Sequence, residues 1–253
     1  MRLLSLILAA VAVLAATAQE EIADFQLNVQ DFRELTVVDG VNVDYRAVPD
    51  SAGWAVFSCP PELASQLMFS NNREHLTIQT TASERAIPGM PRVTVYSTVL
   101  TKATNTGDST LRLLTLTPVE SIKIKEMGNG RVEAYGIESD HVEASVDTGC
   151  GSVFVQGTAR KGKLRNVGTG TLDADGLALE QASIYIFGSG PVECNVSDKI
   201  TVYGLGPGKV RPRAMPAKVS NRSIGVKVVA LPPNTPYTET TVAEEETAEP
   251  ATE

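Results

Sequence analysis

Histidine is nearly missing from this chain: His75 and His141 are its two copies in 253 residues, far apart and without the paired spacing of a metal site or a metalloprotease helix. Lone histidines of this kind are surface or structural residues by default. No Gly-x-Ser-x-Gly elbow and no complete phosphate-cradling loop is present, so nucleophilic and nucleotide chemistry lose their usual signatures. No cofactor is expected. Cysteine is scarce too, and Cys59, Cys150 and Cys194 leave at least one thiol unpaired, which rules out a disulfide framework. A basic excess is also missing. The formal charge is −8, and six of the acids (Glu239, Glu244, Glu245, Glu246, Glu249, Glu253) lie in the last fifteen residues. The body of the chain is therefore nearly balanced and lacks the basic stripe that a nucleic-acid partner demands. No stretch reaches the roughly 18 apolar residues of a membrane-spanning helix.

What is present first concerns the compartment. Arg2, the uncharged run Leu3 to Ala16, and Ala16-Thr17-Ala18 before Gln19 fit a secretory leader over residues 1–18. No cysteine stands beside that cleavage site, so a lipid anchor has no attachment point. The expected protein is exported, to the periplasm, the cell surface or the medium. From about Leu231 the chain is Pro, Thr and Glu with almost nothing to bury, and 231–253 reads as a disordered acidic tail.

Between these ends runs a ladder of glycines. Gly-x-Gly occurs at Gly128, Gly149, Gly168, Gly188 and Gly206, at steps of 21, 19, 20 and 18 residues. A degenerate copy, Gly107-Asp108-Ser109, precedes the first. A near-constant period held this often marks a solenoid. Two residues after each pair stand Val132, Val153, Leu172, Val192 and Val210, and two further on Ala134, Val155, Ala174 and Cys194, with mostly polar residues between. Alternation of period two means a strand with one face inward. A second apolar set closes each repeat: Ile124, Leu164, Ile184 and Val202, with Met127, Val167, Phe187 and Leu205 directly before the glycines. Each repeat thus reads as two short strands bent at glycine corners, and residues 119–230 form the solenoid. Cys194 falls in an inward column and Cys150 at a corner two rungs away. At about 9 to 10 Å along the stack they are too far apart to bridge.

Residues 19–118 are also strand-rich but less regular, with alternating runs at Leu35 to Asp44, Leu76 to Gln79 and Val93 to Tyr96. They are expected to cap or extend the stack, whose open end would otherwise expose core and strand edge. Phe32-Arg33-Glu34-Leu35-Thr36-Val37 leading into Gly40-Val41-Asn42-Val43, the run Leu76-Thr77-Ile78 and the Gly-x-Gly ladder resemble the putative auto-transporter adhesin, head GIN domain family of secreted Bacteroidetes proteins, over roughly residues 30 to 215. The resemblance implies a single-stranded right-handed β-helix in the cell envelope with an adhesin role. Family repeats commonly follow Gly-Ser-Gly with an acid, whereas this chain has Arg131, Ser152, Thr171, Pro191 and Lys209 there.

Two constellations compete for function. Three residues before the glycine pairs stand Lys125, Arg165, Tyr185 and Tyr203, expected to face outward on stacked rungs. Aromatic faces beside cations suit a glycan or a protein partner in the envelope, although solenoids also stack like side chains for stability alone. The alternative is a carbohydrate-active enzyme, a polysaccharide lyase or hydrolase, using Asp173 and Asp175 with Glu193 and Asn195 on the next rung. Against it, Asp175-Gly176 is a common turn pair and outward strand positions are polar by default. The reading favoured by the sequence is a non-catalytic binding protein.

Overall fold

The computed structural model describes residues 22–38, 40–81 and 87–232. The expected leader at 1–18, and the expected tail apart from its first two residues, lie outside these described residues. The fold is nearly all β, with 66% of residues in strands and 3% in helix, wound into a β-solenoid of about 6 turns.

The regular turns come from four long strands and the shorter strand that precedes them. They begin at β10 (Val119–Glu126) and continue through β11 (Arg131–Asp147), β12 (Ser152–Gly168), β13 (Thr171–Gly188) and β14 (Val192–Leu205). Each strand pairs in parallel with the next one round. The inward columns read from the sequence are in register: Val132, Val153, Leu172, Val192 and Val210 stack, as do Ala134 with Val155 and Ala174 with Cys194. The stack ends in β15 (Lys209–Pro212), β16 (Lys218–Asn221) and β17 (Lys227–Val228). A turn has more than two sides, because the register slips between Ala134 and Ile137, and again between Phe154 and Gly157, adding a bend inside each long strand.

The glycine corners are steric necessities. Gly188 has φ of 133°, a conformation that L side chains rarely adopt. At Gly190 a Cβ would lie 2.2 Å from the carbonyl oxygen of Gly170 on the rung below. One glycine serves the turn and the other the stacking distance.

Strand parity overturns one expectation. Met127, Val167, Phe187 and Leu205 are not part of the core: Met127, Phe187 and Leu205 are exposed and Val167 is half-exposed. Ile124 points in, so Lys125 points out, Glu126 in and Met127 out. The inward column is instead Asn105, Glu126, Val146, Asn166 and Ile186. Its polar members serve the corners. The Asn105 amide donates to the Ser109 carbonyl at 2.8 Å and to the Glu126 carboxylate at 2.8 Å, and the Asn166 amide donates to the Gly170 and Pro191 carbonyls at 2.9 Å. Carbonyls turned inward at a tight corner need such donors.

The N-terminal segment both extends and caps the stack. Its first strands are β1 (Ala23–Asn28), β2 (Glu34–Val38), β3 (Val43–Ala47), β4 (Trp54–Cys59) and β5 (Leu67–Asn72). They are followed by β6 (His75–Thr80), β7 (Val93–Ser97), β8 (Lys102–Thr106) and β9 (Thr110–Thr115). β2 lies between β6 and β8, and β3 between β7 and β9, so the first rung in sequence is the second in space. After that rung the chain forms β4 and β5, which with the earlier β1 make an antiparallel lid of β1 on β4 on β7 and β5 on β6. It then winds the outer rung β6–β7 and crosses to β8. Phe57 stacks between Phe25 at 5.2 Å and Phe69 at 5.9 Å in the lid. Beneath it Leu76, Ile78, Val93 and Val95 are fully buried. All three cysteines are free: Cys59 and Cys194 are buried and Cys150 is exposed at its corner. Burial pushes the Cys194 thiol up to about 12. No helix among the described residues is long and apolar enough to cross a membrane.

Candidate binding face

The outward side of the rungs that ends at the Gly-x-Gly corners carries two adjacent columns. The first is Lys125, Ser145, Arg165, Tyr185 and Tyr203, in register on five rungs. All four residues read from the sequence are therefore in one line, with Ser145 filling the rung that the spacing skipped. An extra left-handed residue, Thr148 with φ of 70°, precedes Gly149 and displaces that rung's count by one. The second column, two residues on, runs through Asp147, Val167, Phe187, Leu205 and Ile224.

Within the first column the halves differ. Tyr185 and Tyr203 stack face to face, ring centroids 5.2 Å apart and planes 15° from parallel. Lys125 and Arg165, two rungs apart across the small Ser145, both lean toward Asp147. Lys125 Nζ is 2.8 Å from one carboxylate oxygen; Arg165 Nη1 is 3.2 Å from the other, close enough for ion pairing but without hydrogen-bond alignment. Lys123 and Lys163 share Glu143 in the same way, at 3.4 and 3.0 Å. Burial pushes the Glu143 carboxyl up, but the hydrogen bond from Lys163 and the two positive charges outweigh it and leave the group below the usual carboxylate range. The exposed apolar column beside the tyrosines was not recognised from sequence because it was assigned to the core. Parity was the signal that could have found it.

Two of the three acids in the acidic alternative are held by arginines. Asp175, buried, takes a two-pronged contact from Arg213, and Glu193 accepts from Arg211 at 3.0 Å. Asp173 is half-buried rather than freely exposed; burial raises its pKa, the Asp175 backbone N–H opposes this, and Glu193 and Asp175 add to the rise. His75 Nε2 lies 2.7 Å from Thr36 Oγ1, and His141 is exposed. No group of three or more His, Cys, Asp or Glu side chains among the described residues is placed to hold a metal. Gly157 to Lys163 has most of a phosphate loop's spacing, but Leu164 stands where that motif has Ser or Thr, and the segment lies extended within β12. A groove of about 730 Å³ of mixed polarity follows the bends on another side, lined by Val119, Glu138, Asp140, Thr158, Arg160 and Leu179 among others. It is the larger concavity, yet it carries no aromatic side chain, and the stripe is the better anchor on chemical grounds.

Comparison with known proteins places these features in context. The family described as putative auto-transporter adhesin, head GIN domain, matches residues 31–216. The chain matches no curated protein. Among solved structures, a putative adhesin from Bacteroides fragilis NCTC 9343 is similar with a TM-score of 0.72 and 18% identity, over 83% of this chain and 97% of that one. A putative lipid binding protein from Parabacteroides distasonis ATCC 8503 aligns with a TM-score of 0.67 and 18% identity, covering 83% and 98%. A putative adhesin from the same strain gives 0.65 and 22%, also covering 83% and 98%. At these identities the likeness is one of fold.

Proposed function

Since the chain belongs to the putative auto-transporter adhesin, head GIN domain family, we propose that it is an exported, non-catalytic binding protein whose outward stripe engages a glycan or protein of a cell surface. The observation that carries this reading is the stacked Tyr185–Tyr203 pair set between Arg165 and the exposed Phe187 and Leu205. Aromatic, apolar and arginine side chains together are the composition of binding hot spots. The flat tyrosine faces suit the apolar face of a sugar ring, and their hydroxyls beside Arg165 suit polar groups of a protein. Catalysis is disfavoured because two of the three carboxylates that would do it, Asp175 and Glu193, are held by Arg213 and Arg211.

The test pairs a glycan array and a panel of purified surface proteins with an assay for reducing-sugar release. Retention without release, lost in Tyr185→Ala/Tyr203→Ala, is the expected result. Release that disappears in Asp173→Asn would replace this reading with the enzyme.

A further inference from the structure

The column beside the tyrosines is apolar on four consecutive rungs, Val167, Phe187, Leu205 and Ile224. Phe187, Leu205 and Ile224 are 46%, 59% and 73% exposed. An outward strand position is normally polar, so an unbroken apolar ladder needs a reason. Its flank on the tyrosine side supplies one. The same side carries Lys123, Lys125, Lys163 and Arg165, with Arg222 following Asn221 on the last rung, against two carboxylates, Glu143 and Asp147. Each of those carboxylates is shared by two cations, and Arg222 lies beyond both pairs. A chain of net charge −8 thus sets these five cations against Glu143 and Asp147 along one flank of an apolar ridge.

We propose that this side docks edge-on against an anionic lipid surface, the ladder entering the headgroup–acyl boundary and the cations meeting phosphates. The proposal rests on the reading that this is the face through which the protein binds, and it names what the apolar column is for. Three partner chemistries can be compared. A sugar gains little from Leu205 and Ile224, which offer neither a π face nor a hydrogen bond. A protein interface of ordinary strength covers about 800 Å² on each partner, whereas this ladder is one column wide and about 15 Å long at the usual strand spacing. A bilayer boundary needs no wide complementary surface. Apolar side chains reach about 5–10 Å into it, aromatic rings with polar tips sit at its edge, and basic groups add attraction to anionic headgroups. Tyr185 and Tyr203 share the column of Lys125 and Arg165, directly beside the ladder, so their rings meet the boundary at the level of the cations.

The experiment is co-sedimentation of the purified protein with vesicles of phosphatidylcholine mixed with phosphatidylglycerol, beside vesicles of phosphatidylcholine alone. The wild-type protein should pellet with the anionic vesicles, weakly with the neutral ones, and less as salt rises. Phe187→Ser/Leu205→Ser removes exposed apolar surface and should weaken binding by about tenfold or more with an unchanged far-UV spectrum. Arg165→Gln/Arg222→Gln should erase the preference for anionic vesicles. No pelleting with anionic vesicles, or equal pelleting of the Phe187/Leu205 variant, overturns the proposal. If vesicles are ignored while that variant loses retention on the glycan array or protein panel, the lipid partner is wrong and the binding face stands. If the variant changes neither readout, both fall.

Discussion

Glu126 is the residue most at odds with its surroundings. It is fully buried in the inward column between Asn105 and Val146, with one carboxylate oxygen unpaired. Burial pushes its pKa from 4.5 up to about 7; the Asn105 amide and the Gly130 N–H pull the other way and do not cancel it. The folded protein therefore holds this proton more tightly than the unfolded chain does. Its contribution to stability is complete below the unfolded value of 4.5 and is lost as pH rises through about 7. A shift of that size corresponds to about 3 kcal/mol between the two limits. Glu126→Gln fixes the neutral form, so its urea midpoint should match the wild type near about pH 4 and exceed it near about pH 8.5. Parallel curves for the two proteins across that range would show that the carboxylate is solvated. Cys194 reaches the same depth without conflict, because a thiol at high pKa behaves as a small apolar filler.

At the scale of the strand, period-two alternation made most of the core legible and also set the limit of legibility. Val132, Ala134 and their stacked equivalents could be read because apolar and mostly polar residues alternate behind each second glycine. The reading failed ahead of the glycines, where hydrophobicity and parity disagree: Phe187 is apolar but outward, and Asn166 polar but inward. Corner chemistry, which demands amide donors inside, overrides hydropathy there. The candidate column of Lys125, Arg165, Tyr185 and Tyr203 was legible for the same reason as the core, since fixed spacing from a corner fixes the face. Asp147, which draws its two cations together, was not, because its rung carries the extra Thr148. Neighbouring residues give a direct check of the register. Ile184→Ala empties a fully buried site and should cost about 2 to 4 kcal/mol. Tyr185→Ala loses one cross-strand stack and should cost about 1 kcal/mol or less. Equal losses in chemical denaturation would mean that the tyrosine is held in the core and that no outward stripe exists.

Across the whole molecule, the solenoid was visible because its signal repeats locally, whereas the order of the first rungs was not. β2 and β3 lie between rungs that come later in the chain, and no periodicity in a sequence records such an insertion. The result is a stack with unlike ends. At the N-terminal end the inward residues Leu76 and Ile78 are fully covered by the lid and its Phe25–Phe57–Phe69 stack. At the other end Val219, which continues the inward column of Ile200, is 40% exposed, and Val229 is 54% exposed. In a linear stack each rung is stabilised only by its neighbours, so an end rung with one neighbour opens first. Hydrogen exchange should therefore find β16 and β17 opening at the lowest free energy, while amides of β6 and β7 exchange near the global limit. Substitution should show the same asymmetry. Val219→Ala removes a side chain already partly in water and should lower stability by less than about 1 kcal/mol, whereas Phe57→Ala opens the lid over the first rungs and should cost about 3 to 5 kcal/mol. If both ends exchange alike and the two substitutions cost the same, the last rung is covered by something beyond the described residues, and the stack is closed at both ends.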